Sequence, residues 1–118
     1  VAWTDWNILL DERGGPNHVG NFCFAPVHSL KGKQLFYTNS FYYIGHFSKY
    51  IKPGAKRINA SSNRTNLLST AFKNPDGSIA VVIMNDSDSI LHYNLMMDGQ
   101  SAPATSYPHS ISTLLFQK

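Results

Sequence analysis

Between Trp3 and Phe22 the sequence gathers the groups best suited to gripping a sugar: Trp3, Trp6, Asp5, Asn7, Asp11, Glu12, Asn17 and Asn21, with Gly14-Gly15-Pro16 among them. A flat indole covers the apolar C–H face of a pyranose ring, and asparagine amides donate to and accept from its hydroxyls. Trp6, Asn7, Asn17 and Asn21 are the candidate substrate-binding residues. The same residues also suit a plainer role, with tryptophans in a core and asparagines in turns, and composition alone favours that role. Asp5, Asp11 and Glu12 are the carboxylates of the segment. Each suits loop solvation or structure better than catalysis, because Asp11 and Glu12 are adjacent in a turn-rich run and alternation puts Asp5 away from Trp6. No catalytic residue is assigned.

Positioning these groups requires a strand and a loop. Val1 to Leu10 has the aromatic and β-branched bias of a strand. Alternation along it sets Trp3 and Trp6 on opposite faces, one for packing and one for a ligand. Asp11 to Asn17 is a run of turn formers in which Gly14-Gly15 permits close backbone approach. Asn21 to Val27 becomes extended, 29–33 is a polar turn, and Gln34 to Thr38 is a short strand or connector. A helix is expected from Phe41 to Ile51, capped by Asn39 or Ser40 and stopped by Pro53-Gly54. It carries Ile44, Phe47, Tyr50 and Ile51 on one face, and Gly45 suggests close packing on a neighbour.

Beyond the helix the pattern is β. Leu67 to Lys73 and Ser78 to Asn85 flank the turn signal Asn74-Pro75-Asp76-Gly77, which predicts a hairpin. Ile90 to Met96 and Ser110 to Phe116 are further strands, while Asp98 to Pro108 reads as a loop because Pro103 and Pro108 break regular structure. Four or five strands with no intervening helix predict an antiparallel sheet, part of a sandwich.

The run Trp3-Thr4-Asp5-Trp6-Asn7, Gly14-Gly15-Pro16-Asn17 and Asn21-Phe22 is followed by Tyr43-Ile44-Gly45-His46-Phe47-Ser48-Lys49-Tyr50-Ile51-Lys52-Pro53-Gly54. Pro75-Asp76-Gly77-Ser78, Val81-Val82-Ile83-Met84-Asn85 and Ser110-Ile111-Ser112-Thr113-Leu114 continue it in order. This pattern resembles the C-terminal portion of glycoside hydrolase family 30, the family of the glucosylceramidases. The resemblance implies a mainly β chain: the last strand, loop and helix of a (β/α)8 barrel in residues 1–54, then an antiparallel β-sandwich module in 55–118. It implies a β-glucoside or glucosylceramide-like substrate for the full enzyme, sugar contacts from Trp6 and Asn21, and a secreted, periplasmic or lysosomal setting. His18 stands where relatives often carry an aromatic residue, and Gly20 loosens the approach to Asn21, so aglycone preference does not carry over.

Retaining glycosidases use two carboxyl groups about 5–5.5 Å apart as acid/base and nucleophile. The resemblance implies two glutamates on earlier barrel strands, whereas Glu12 is the only glutamate here and neither catalytic motif is present. The chain alone is therefore expected not to hydrolyse glycosides. A non-catalytic carbohydrate-binding or protein-interaction β module is the alternative.

The 118 residues suffice for a modest core, and 42% apolar content excludes a disordered chain. The net charge of +3 is spread out, with Lys49 to Arg57 the one concentration, so no nucleic-acid partner is expected. Cys23 is the only cysteine and reads as a small buried apolar residue. His18, His28, His46, His92 and His109 lack metal-ligand spacing, so neither a metal nor a cofactor is expected, and His46 reads as a packing histidine. No apolar run is long enough for a transmembrane segment. The first residue is Val1 rather than Met, so nothing is read about a targeting signal. Asn59, Asn63 and Asn85 open formal glycosylation sequons, treated as coincidence. The strand and helix of a barrel cannot close one, and the aromatic residues they leave unpaired predict either the rest of the barrel or self-association as partner.

Overall fold

The computed structural model describes residues 4–15, 19–20, 22–31 and 33–117. Val1–Gly45 and His46–Lys118 form two compact units.

The first unit contains a three-stranded sheet in the order β1 (Leu9–Asp11), β2 (Val27–Leu30), β3 (Gln34–Tyr37). β1 runs parallel to β2, and β3 returns antiparallel to it. The expected strand from Val1 to Leu10 is thus corrected. Thr4 to Ile8 lie outside any ladder and the strand begins at Leu9, because apolar bias makes a strand only where a neighbour supplies hydrogen bonds. The opposite-face argument for Trp3 and Trp6 falls with it, and Trp3 lies outside the described residues. Leu10 and Ala25 form the small buried core. Ile8, Val19, Phe22, Phe24, Leu35 and Phe36 are all more than half exposed.

Helix α1 spans Asn39–Ser48, with an amide bond from Ile51 to the Phe47 carbonyl continuing its last turn. Its N-terminal flank is Thr38, one or two residues before the expected cap. The Phe41 amide bonds the Thr38 carbonyl, and the Thr38 hydroxyl donates to the carbonyls of Ala25 and Pro26. No residue of α1 is buried. Among the described residues, a Cβ at Gly45 would meet nothing within 4 Å, so the close packing expected there is not found among them.

The second unit is a sandwich. Strands β4 (Lys56–Ile58), β5 (Leu67–Lys73), β6 (Ile79–Asn85) and β9 (Ser110–Phe116) form one antiparallel sheet in that order. β7 (Leu91–Met97) and β8 (Gln100–Ser106) form the second. Leu67, Ala71, Val81, Ile83 and Leu91 make the core, with Tyr93 and Leu95 from β7 packed against it. These are alternate positions on each strand, as period-two patterning requires. An open cleft of about 500 Å³ remains between the sheets, floored by Leu67, Ala71 and Val81.

β8 corrects the loop expected from Asp98 to Pro108. Asp98 and Gly99 take φ of 50° and 78°, the conformation of a two-residue type I′ turn, and Met97 pairs with Gln100 across it. Asp-Gly is a strong hairpin signal that the two prolines obscured. Among the described residues β8 has no ladder partner beyond β7, and an edge strand tolerates Pro103.

The β5–β6 turn grips the chain leaving α1. The buried Asn74 amide donates to the Tyr50 carbonyl at 3.0 Å, and its oxygen accepts the Lys52 N–H at 2.9 Å. One side chain thereby satisfies a carbonyl that the helix end leaves open and a backbone amide just beyond it. Beside it, the Lys52 ammonium pairs with Asp76, which also accepts from the Ser78 hydroxyl and amide. These partners, Lys52 foremost, hold the Asp76 carboxyl well below the usual carboxylate range. A depressed folded-state value stabilises above the unfolded value and is lost as pH falls through the folded one. Asp76→Asn should therefore lower the melting temperature at neutral pH and leave it unchanged in strong acid, as paired thermal melts would show.

Candidate functional site

The candidate site lies in the segment that runs from Thr4 through β1 to the start of β2. Trp6 is 73% exposed, and Asn7 beside it is exposed too. The packing role that composition favoured for Trp6 is therefore not the one found within this chain. The Asp5 carboxylate accepts the Trp6 amide at 2.9 Å, which shapes the backbone beneath the indole. Asn17 and Asn21, the other two candidates, lie outside the described residues, as does His18.

The loop after β1 is built on Asp11. Its carboxylate accepts the amides of Gly15 and Arg13, both at 2.9 Å. Those two bonds, Gly15 first, hold its carboxyl below the usual range. A group held ionised in this way is a poor general acid, which needs a raised value near the working pH. The Asp11 side chain is thus a loop organiser. The exposed Glu12 next to it forms no pair of acid and nucleophile with Asp11, whose carboxylate is committed to the backbone.

Gly14 closes the loop on its return limb. At φ 66° its amide bonds the Asp11 carbonyl at 3.1 Å, and its own carbonyl accepts the Cys23 amide at 3.4 Å. A Cβ there would fall 2.6 Å from the Cys23 backbone nitrogen and oxygen. Glycine is needed both for the left-handed backbone and for this approach. Cys23 itself is partly exposed rather than buried, because the limb lies on the surface.

His28 is a residue whose part in the loop sequence reasoning missed. It is 6% exposed on β2, with its ring stacked at 5.9 Å on Phe22. Nδ1 lies 3.0 Å from the Asp11 carbonyl, and Nε2 accepts the Ala25 amide at 3.1 Å. Its spacing from the other histidines fits no metal site, and the only sequence signal was a histidine between Val27 and Ser29 in a short extended segment. Phe22 and Phe24 meet edge to face at 5.1 Å, with Phe24 81% exposed.

His46, in the last turn of α1, has Nδ1 2.9 Å from the Thr113 hydroxyl, and burial lowers its pKa. It is a structural histidine of the second unit. Among the described residues no group of three His, Cys, Asp or Glu side chains could hold a metal ion. No described helix is long and apolar enough to cross a membrane.

The glycosyl hydrolase family 30 TIM-barrel domain matches residues 1–51, and the family's β-sandwich domain matches residues 54–114. The chain belongs to glycosyl hydrolase family 30. It is the end of the family's barrel followed by its β-sandwich. Mouse lysosomal acid glucosylceramidase is 45% identical over 89 residues, which are 74% of this chain and 17% of the mouse protein. The crystal structure of SrfJ from Salmonella typhimurium superposes with a TM-score of 0.93 at 36% identity, covering 97% of this chain and 26% of that one. The endo-β1,6-glucanase BT3312 gives a TM-score of 0.85 at 28% identity, over 96% of this chain and 26% of its own. The chain thus spans about a quarter or less of the length of these family 30 relatives.

Proposed function

We propose that this chain works as the C-terminal part of a retaining β-glycosidase that hydrolyses β-glucosides of the glucosylceramide kind. Residues 1–54 complete the barrel and 55–118 form the accompanying sandwich. Trp6 stacks on the glycone, while Asn7, Asn17 and Asn21 bond its hydroxyls. The acid/base and the nucleophile are two glutamates outside this chain, in the remainder of the barrel. That remainder also covers the exposed aromatic residues of the first unit.

The exposure of Trp6 carries the reading. A 73% exposed indole beside an exposed amide is costly surface unless something covers it. The relatives supply the substrate class: the mouse protein is a glucosylceramidase and BT3312 an endo-glucanase, both acting on glycosides.

The test uses the longest natural gene product and an aryl β-glucoside. Trp6→Ala should reduce kcat/KM roughly 100-fold, equivalent to about 2.7 kcal/mol of transition-state binding. The 118-residue chain by itself should show no turnover. Robust hydrolysis by the short chain, or an unchanged kcat/KM in the Trp6 variant, would overturn the proposal.

A further inference from the structure

Thirteen residues separate Asp11 at the end of β1 from Ala25 before β2, and they include Asn17 and Asn21. A loop of that length must be fixed by a few cross-links if it is to present groups to a ligand. One buried side chain touches both of its ends. A carbonyl oxygen can only accept and a backbone amide can only donate. The Asp11 carbonyl, 3.0 Å from Nδ1, therefore requires hydrogen on Nδ1, and the Ala25 amide, donating at 3.1 Å, requires a bare Nε2. His28 is accordingly the neutral Nδ1–H tautomer. A second proton would have to sit on Nε2, where it would point at the Ala25 N–H and end that bond.

We propose that His28 is a positioning residue for the sugar-binding loop, tying Asp11 to Ala25 only while its ring is neutral, so that acid loosens the limb carrying Phe22. The functional half rests on the glycosidase reading above; the structural half does not. The groups facing the ring are few. Asp11 brings a carboxylate that attracts the charged ring, with Arg13 beside that carboxylate opposing it. β3 sets Phe36 opposite His28, and its one titratable residue, Tyr37, lies opposite Val27. The loop limb contributes Cys23 and the Phe22 ring.

The experiment takes the longest natural gene product labelled with ¹⁵N-histidine, with the His28 signals identified by their loss in His28→Phe. At neutral pH, ring nitrogen shifts should show hydrogen on Nδ1 and none on Nε2. His28→Phe keeps a ring against Phe22 but removes both bonds. It should raise KM for an aryl β-glucoside about 10-fold with a smaller change in kcat, the pattern of lost ground-state positioning. It should also remove part of the acid-side rise in KM. His28→Gln, whose amide offers one donor and one acceptor, should recover part of the loss. Trypsin cleavage after Arg13 should be about 10-fold faster in the Phe variant, as expected when local opening is easier. An Nε2–H tautomer would overturn the proposal, as would a Phe variant with unchanged KM, pH profile and cleavage rate. If the wild type hydrolyses no glycoside, the functional reading falls, while the tautomer and cleavage measurements still decide the role of His28.

Discussion

Asn85→Ala is expected to destabilise the sandwich by about 4 kcal/mol, the largest effect of any single polar truncation in the second unit. Asn85 is fully buried at the end of β6. Its amide nitrogen donates to the carbonyls of Ser89, Tyr107 and Ser106 at 2.8, 2.9 and 3.2 Å. Its oxygen accepts the Ser87 hydroxyl at 2.7 Å and the Ser87 amide at 3.1 Å. One side chain thus ties β6 to the turn that follows it and to the segment joining β8 and β9. Alanine abandons these partners in a closed site, and each buried group left unpaired costs about 1–3 kcal/mol. Urea unfolding of wild type and variant measures the difference. Asn85→Asp should be no better, because a carboxylate cannot donate to three carbonyls and would be buried charged. A loss below about 1 kcal/mol in the alanine variant would contradict this account. The same burial bears on Asn85-Asp86-Ser87 as a glycosylation sequon: its amide nitrogen is occupied within the fold, whereas Asn59 and Asn63 are exposed.

Gly14→Ala is expected to cost about 3 kcal/mol of local order in the loop and, on the glycosidase function proposed above, to abolish most sugar binding. The added methyl would meet backbone on the facing limb at 2.6 Å, and backbone cannot turn aside as a side-chain tip can. The φ of 66° adds strain that no neighbour relieves. Both effects push Cys23 away, and with it the ring of Phe22, which lies 3.0 Å from the same point. The variant should melt close to wild type, since the sandwich is untouched, yet lose activity at least 10-fold through KM. Wild-type KM in a folded Gly14→Ala enzyme would show that the close approach of the two limbs is dispensable.

The sandwich was mostly legible in the sequence, for a local reason. The β5–β6 hairpin is announced by Asn74-Pro75-Asp76-Gly77, and its strands alternate toward a core within the same unit. Signals of that kind need no knowledge of distant partners. Thr4 to Ile8 show the opposite case. The aromatic and β-branched residues around them promised a strand, but a strand is a property of a pair, and β1 begins only where β2 comes alongside. Gly45 misled in a similar way, since the neighbour its small size suggests is not among the described residues. Pro103 hid β8 because the rule applied to it concerns central strands, and edge positions are exempt. In the loop, Gly14-Gly15 was recognisable as a place of close approach. His28 was not, because a histidine that joins two backbone groups leaves no spacing pattern in the sequence.

Pro103 has a further consequence. It faces Asn94 across the β7–β8 ladder, three pairs from the Met97–Gln100 pair that closes the turn. In an antiparallel ladder, hydrogen-bonded and non-hydrogen-bonded pairs alternate, so the ring nitrogen of Pro103 points away from β7. The outward row of β8 thus lacks a donor at its centre, the place where another strand would otherwise begin to zip on. The residue that disguised the strand in the sequence also guards its open edge against pairing with another strand.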